Sequence, residues 1–501
     1  QLNEGQDYWQ HWRQAVGTSE SENQLLLDEN LLAEGKQFID VADLSISEDH
    51  TKLAYTLDDE GNEEYKVVVV NLETGESLPD ELLHVSRNLE WDAEGNGIFY
   101  LKLDERHRAN KLYYHKLGTK QNEDTLIFQE ERDEFHMSFS KSSDRSSILI
   151  ASGNSDSSET YYLLLEAFNA SSCHSQVILA RRAGRLYEAD IAAGKVYVSI
   201  NDHGKNFRLI ATDLQELATK QDDLNSWNEV LPHYKERYLV RFDLAENHLM
   251  YVHRVEGLNQ IFVRDLTTNQ DHHIEFQDAS YAANASFPTY ESKFVRISYS
   301  SMRQPATIYD FQIDTQELVT RKVDEIPSGF DPNNYRVERV WATSEDGIKV
   351  PISLVYNTKV VNPKVKPAPV LLYGYGSYGI NVAPSFNKKS ISLIDRGIIY
   401  AIAHIRGGDD LGYEWYEQSK FLGKKLTFQD FIACSEELVR TGYTESGKIA
   451  IMGGSAGGML MGAVVNARPE LFGAVVAMVP FVDVLNTMLD ETLPLTPGEY
   501  T

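Results

Sequence analysis

Gly453-Gly454-Ser455-Ala456-Gly457 follows the apolar run 448–452 and precedes the small-residue run 459–465. This is a G-x-S-x-G pattern set where a strand turns sharply into a helix, the arrangement of a nucleophile elbow. The glycines flanking Ser455 relieve crowding in a strained turn, and the turn lifts the hydroxyl clear of the sheet edge. A bare G-x-S-x-G carries little information. The strand–turn–helix context gives it chemical meaning, and Ser455 is read as a nucleophile. Around it, apolar strands at 370–373, 398–405, 448–452 and 474–479 alternate with helical patterns at 428–441, with Thr427 as N-cap, and at 456–467, stopped by Pro469. Two earlier strands, 336–343 and 348–356, read as a hairpin around Glu345-Asp346-Gly347. Such alternation predicts a parallel sheet with helices on its faces, and Ser455 stands at a strand's C-terminal end, where open α/β sheets place their sites.

Upstream, the chain repeats. Short β-rich strands at 53–57, 98–101, 147–151, 196–200, 249–252 and 294–299 each follow a polar turn. With unit starts at Ser45, Trp91, Phe139, Asp190, Phe242 and Phe287, the period is 45–52 residues. Each unit continues to a further strand and turn, as in 67–70 before Asn71-Leu72-Glu73-Thr74-Gly75. That period with several strands per unit predicts a β-propeller over a pair of β-sandwiches, which need no regular spacing. Six units are visible, and residues 1–44 with 316–335 are expected to complete a seventh. Residues 1–15 read as a short helix or a linker. The punctuation at Pro327-Ser328-Gly329 and Asp331-Pro332-Asn333-Asn334 marks a change of architecture. The expected domains are therefore 1–335, propeller with an N-terminal segment, and 336–501, an α/β-hydrolase domain whose C-terminal part is absent.

Composition narrows the chemistry. The chain has 501 residues, with 75 acidic against 47 basic side chains and a formal charge of −28. Nucleic acid is an unsuitable partner, since phosphate binding needs clustered Lys and Arg, whereas cationic ligands would be attracted. Cys173 and Cys434 are the only cysteines. They supply no disulfide framework and no cysteine-based metal site, a pattern that fits a reducing, cytoplasmic compartment. No apolar run is long enough for a membrane span. Neither a cofactor nor a metal is expected.

A serine nucleophile needs a base, and hydrolases of this build place their partners in the order Ser, Asp or Glu, His. All fourteen histidines precede Ser455, the last being His404, and the 46 residues after Ser455 hold no base of suitable pKa. The apparatus is incomplete within this sequence. An acyl-transfer site also needs donors aimed at the oxyanion. One is expected from the N–H of Ala456, the residue after the nucleophile. The other should come from the loop after strand 370–373, which reads Tyr373-Gly374-Tyr375-Gly376-Ser377-Tyr378-Gly379.

These motifs resemble those of the prolyl oligopeptidase family of serine peptidases, in particular its oligopeptidase B branch. The likeness is carried by the tyrosine–glycine loop, His404-Ile405-Arg406-Gly407-Gly408, Gly453–Gly458, Val479-Pro480-Phe481-Val482-Asp483-Val484 and Leu493-Pro494-Leu495-Thr496-Pro497-Gly498-Glu499-Tyr500, with a weaker match at His203-Gly204-Lys205-Asn206-Phe207. The resemblance implies a seven-bladed propeller capping an α/β-hydrolase domain and admitting only short peptides. It implies Ser455 as nucleophile, Tyr375 as side-chain oxyanion donor and Ala456 as backbone donor. Glu499 falls where this branch keeps the acid that receives a P1 Arg or Lys, and Tyr378 and Arg406 are taken as further substrate-binding residues. The Asp and His of the triad are expected beyond residue 501, and part of the N-terminal segment before residue 1. Asp483 is read as structural.

Three positions depart from the family pattern. Ala383 and Ser385 stand where bacterial members often carry aspartates that favour a second basic residue, so a dibasic preference is not expected. Asp409 replaces the third glycine of the run after Arg406 and is read as a solvated loop residue. The implied activity is a monomeric serine oligopeptidase cleaving short basic peptides after Arg or Lys. The alternatives are a prolyl oligopeptidase or acylaminoacyl-type peptidase, and a peptide-binding propeller protein with an inactive hydrolase remnant.

Overall fold

The computed structural model describes residues 1–15, 17–19, 23–166, 168–170 and 173–490. From Asp40 onward the chain forms consecutive four-stranded units whose sheet order follows chain order. Their second strands, Lys52–Asp58, Gly97–Leu103, Ser147–Gly153, Lys195–Ile200, His248–Val255 and Phe294–Ser301, are the apolar runs legible in the sequence. They lie inside their sheets and are covered on both faces, so Leu53, Ile98, Ile148, Val196, Leu249 and Val295 are fully buried. Each buried aliphatic side chain contributes about 1.5–3 kcal/mol of transfer free energy. Five of the six unit starts fall inside a first strand, such as Trp91 in Leu82–Trp91 and Phe242 in Tyr238–Ala245, and Phe287 follows Tyr281–Ser286 directly.

The first two four-stranded units share a strand. Leu82–Trp91 pairs through Leu82 and Val85 with Tyr65–Asn71, and through Val85 and Leu89 to Trp91 with Gly97–Leu103, with a register break after Val85. The result is one seven-stranded sheet, Asp40–Ile46 through Thr125–Gln129. Before it lies an antiparallel two-stranded sheet of Gln10–Arg13 with Gln24–Asp28, so residues 10–13 are a strand and not the helix or linker expected. Residues 316–335 do not join that sheet, because Glu317–Val323 is the fourth strand of the last four-stranded unit. The four-stranded units are the blades of a β-propeller.

At Tyr335 the architecture changes to a six-stranded mixed sheet. Its spatial order is Tyr335–Thr343, Lys349–Asn357, Ile399–Ala403, Val370–Tyr373, Ile449–Gly454, Phe472–Met478. The first two contacts are antiparallel and the other three parallel. Side chains alternate between faces. Val370, Leu372, Ile449 and Ile451 pack with Phe431, Leu438 and Leu460 of helices Lys425–Arg440 and Ala456–Ala467. Leu371, Tyr400 and Ile402 turn the other way, toward Ile394 of helix Lys388–Ile394. The long helix starts at Lys425, so Thr427 is not its cap; the Thr427 hydroxyl donates to the Arg406 carbonyl at 2.9 Å.

By compactness the chain divides into Gln1–Val198 with Ala211–Asn228, and Ser199–Ile210 with Glu229–Thr501. The second unit holds the mixed sheet together with the last two four-stranded blades and the turn at 201–207.

Candidate active site

The order of the mixed sheet fixes the site. Val370–Tyr373 lies between Ile399–Ala403 and Ile449–Gly454. The chain leaves it toward one side, whereas Ile449–Gly454 leads to Phe472–Met478 on the other. The C-terminal ends of these two neighbours flank the point where strand order reverses, where the crevice of an open α/β sheet forms. Tyr373 is in register with Met452, and the Gly374 N–H donates to the Met452 carbonyl at 3.2 Å. The elbow and the tyrosine–glycine loop therefore start side by side.

Ser455 sits between strand Ile449–Gly454 and helix Ala456–Ala467 with φ 53° and ψ −119°, a conformation L-residues avoid and the surrounding structure enforces. Its N–H donates to the Met478 carbonyl at 3.0 Å, and its carbonyl accepts from Gly458 at 2.9 Å and Phe481 at 3.0 Å. Those three bonds hold the turn and leave the side chain exposed. Close packing accounts for the flanking glycines: a Cβ on Gly453 would come within 2.4 Å of the Gly457 carbonyl oxygen, and one on Gly457 within 2.9 Å of that of Gly374. The Tyr375 ring and Cα lie 3.3 and 3.4 Å from that same Gly457 position, so the tyrosine packs against the first turn of the elbow helix. Ala456 opens the helix, and its N–H is one of the first four without an intrahelical acceptor.

Other expected site residues fall elsewhere. Arg406 is 1% exposed and is held by Asp430 through its backbone N–H at 3.0 Å, its Nε at 2.9 Å and its Nη2 at 2.6 Å, with Asp346 on Nη1 at 2.5 Å. The two carboxylates, chiefly Asp430, outweigh burial and raise its pKa further. A guanidinium so committed is a structural cation, which corrects its reading as a peptide ligand. Tyr378 is partly buried at φ 59° in the tyrosine–glycine loop. Asp483 is exposed and accepts from Asn486 Nδ2 at 3.0 Å. Glu499, with residues 491–501, lies outside the described residues.

His404, the histidine nearest the elbow in sequence, is buried elsewhere. Its Nδ1 is 3.0 Å from Asp410 Oδ1 and its Nε2 2.7 Å from Ser353 Oγ, which in turn meets Ser280 Oγ at 2.5 Å. This is a serine–histidine–aspartate string, but all three members are buried, so it cross-links the core and is not a second catalytic centre. Asp409 is likewise not solvated: its carboxylate pairs with Arg254, and burial pushes its pKa up to about 6 against that attraction. Among the described residues no group of three or more His, Cys, Asp or Glu is placed to hold a metal ion. No helix among them is long and apolar enough to cross a membrane. A pocket of about 300 Å³ opens between Asn259, Tyr281, Tyr299, Ile308, Asn381 and Ala383, and no charged side chain lines it.

The description "Prolyl oligopeptidase, N-terminal beta-propeller domain" matches residues 1–324. The chain belongs to the prolyl oligopeptidase family. The match to the prolyl oligopeptidase family description continues over 384–501 and takes in the elbow. Dipeptidyl aminopeptidase BI of Pseudoxanthomonas mexicana is 36% identical over 482 residues, covering 95% of this chain and 65% of the relative. Protease 2 of Moraxella lacunata is 34% identical over 480 residues, covering 95% and 68%. Oligopeptidase B from Leishmania major superposes with a TM-score of 0.90 at 31% identity, covering 98% of this prolyl oligopeptidase family chain and 70% of that one. Oligopeptidase B from Trypanosoma brucei with covalently bound antipain gives 0.89 at 33%, with the same coverage. The chain thus spans about two thirds of the length of the curated relatives it matches.

Proposed function

We propose that this chain forms the propeller and the nucleophile-bearing part of a serine oligopeptidase that cleaves short peptides on the carboxyl side of Arg or Lys. The observation that supports it most is the exposed, backbone-strained Ser455 beside the Tyr375 loop at the reversal point of the sheet. In the proposed reaction Ser455 Oγ attacks the scissile carbonyl carbon and passes its proton to a histidine expected beyond residue 501. The negative oxygen of the tetrahedral species accepts from the Ala456 N–H and the Tyr375 hydroxyl. Collapse expels the amine, which takes the proton, and water then releases the acyl group from Ser455 by the same route.

Loss of one oxyanion donor typically costs about 10²–10³ in turnover. Tyr375→Phe should therefore lower kcat by about that factor with little change in KM, read from steady-state kinetics. An unchanged kcat would take Tyr375 out of the oxyanion site.

The preference for a basic P1 residue is supported by Glu499 in the matching motif and by the acidic balance of the chain. A carboxylate that pairs with a guanidinium is left unpaired by an uncharged side chain, which makes it a selector. The deciding experiment is a panel of fluorogenic reporters ending in Arg, Lys, Pro or Ala, measured on full-length protein. Arg and Lys should lead. A lead by Pro would favour the prolyl oligopeptidase alternative and defeat the basic-P1 reading. Glu499→Gln should reduce cleavage after Arg far more than after Ala; equal losses would remove its selecting role. With Ala383 and Ser385 in place of acids, Arg-Arg reporters should gain nothing over Ala-Arg reporters.

A further inference from the structure

The motif His203-Gly204-Lys205-Asn206-Phe207 lies in the propeller part of the sequence, yet residues 199–210 belong to the same compact unit as the mixed sheet. Asn206 explains this. It is buried, and its Oδ1 accepts from the Tyr413 N–H at 3.2 Å, at the start of helix Tyr413–Glu417. The N-cap of that helix is Gly412, at φ 108°, which has no side chain with which to cap it. A Cβ at Gly412 would lie 2.5 Å from Asn206 Oδ1. Asn206 thus caps, from 207 positions earlier in the chain, a helix that cannot cap itself. Its Nδ2 is spent on the carbonyls of Lys235 at 2.6 Å and Tyr234 at 3.3 Å, so the amide is fixed from both ends. Phe207 meets the Tyr413 ring at 6.0 Å, edge to face, and Lys205 pairs with Glu417 at 2.7 Å.

The capped segment in turn supports the tyrosine–glycine loop. The Gly379 N–H donates to the Gly407 carbonyl at 2.9 Å, and Gly379 also bridges to Gly408. The Tyr416 ring, on the capped helix, lies 3.4 Å from the position a Cβ on Gly379 would take. A Cβ on Gly407 would fall 2.0 Å from the Gly376 carbonyl oxygen, so the two backbones are in contact on both sides of Tyr378. A shift of residues 407–416 therefore moves the loop that carries Tyr375.

We propose that Asn206 is a positioning residue for the oxyanion tyrosine: by capping helix Tyr413–Glu417 it holds the 407–416 segment against the tyrosine–glycine loop and so sets where Tyr375 stands. This rests on the peptidase reading of Ser455 and Tyr375. Misplacement of a catalytic group by about 1 Å can cost up to 10²-fold in rate. In full-length protein, Asn206→Ala should lower kcat by about tenfold to 10²-fold with KM within about twofold. Because the effect acts through Tyr375, the same substitution added to Tyr375→Phe should cost less than about twofold more. Amide hydrogen exchange should quicken in 374–379 and 407–417 of Asn206→Ala, with the other strands of the mixed sheet unchanged. Equal losses in both backgrounds, a rise in KM alone, or unaltered exchange in 374–379 would each overturn the proposal. If the unsubstituted full-length protein cleaves no peptide reporter, the peptidase reading fails, and exchange alone decides whether Asn206 positions the loop.

Discussion

Ser455→Ala is expected to abolish peptide hydrolysis while leaving the fold unchanged. Removing the serine of a serine–histidine pair costs on the order of 10⁶ in turnover, because covalent attack and proton transfer are lost together. The elbow itself has no need of the hydroxyl. Its bonds to Met478, Gly458 and Phe481 are made by the Ser455 backbone, and the exposed side chain has no hydrogen-bond partner among the described residues. Alanine meets the same steric cost as serine at φ 53°, so the unfolding midpoint should not move. Kinetics on an Arg reporter beside a thermal melt separate the two effects. Residual hydrolysis within tenfold of the parent would refute Ser455 as nucleophile, and a lowered melt would show that the hydroxyl helps to hold the turn.

The second large effect is on stability. Asp430 is fully buried and accepts three bonds from Arg406, itself 1% exposed. Asp430→Ala leaves a desolvated guanidinium whose remaining hydrogen-bond partners among the described residues are Asp346 and Ser344. Breaking one side of a buried pair costs about 3–5 kcal/mol, most of it the penalty of the stranded charge. Asp430→Asn keeps the shape and an acceptor oxygen, so it should fall between Ala and the parent. Urea unfolding followed in the second compact unit reads both. An Asp430→Ala midpoint equal to the parent's would mean that Arg406 finds other partners. Arg406→Lys should act on the same scale and leave KM alone, since the side chain faces Asp430 and not a ligand.

The sequence was most legible where a local pattern and its physical cause coincide. The blade strands were found because β-branched and aromatic runs between polar turns recur at one spacing and are buried in every copy, as at Leu53, Ile148 and Val295. The elbow was legible for a similar reason: the glycines, the serine and the helix start are contiguous, and their clashes are with each other and with Gly374. Short elements escaped. Four residues at Gln10–Arg13 and five at Tyr413–Glu417 carry too little periodicity to separate strand or helix from loop. Thr427 invited assignment as an N-cap by residue type, but its hydroxyl is claimed by the Arg406 carbonyl, a partner no local pattern predicts. Arg406 looked like a ligand because a charge inside a motif suggests chemistry, whereas its carboxylates stand 24 and 60 positions away. The pairing of Asp409 with Arg254 is likewise a contact over 155 positions, and burial raises the pKa of an acid expected at the surface.

The strand Leu82–Trp91 has a consequence for how the propeller comes apart. In most tandem-repeat folds each repeat ends before the next begins, so a pull or a denaturant can peel repeats off one at a time. Here the same ten residues close one blade and open the next. Tearing out either blade exposes an unpaired edge on its neighbour, so residues 40–129 are mechanically one part. The two-stranded sheet that precedes them is fastened to the same part, since Leu27 packs with Leu53, Tyr55 and Leu57, so residues 10–129 should yield to a pull or a denaturant together.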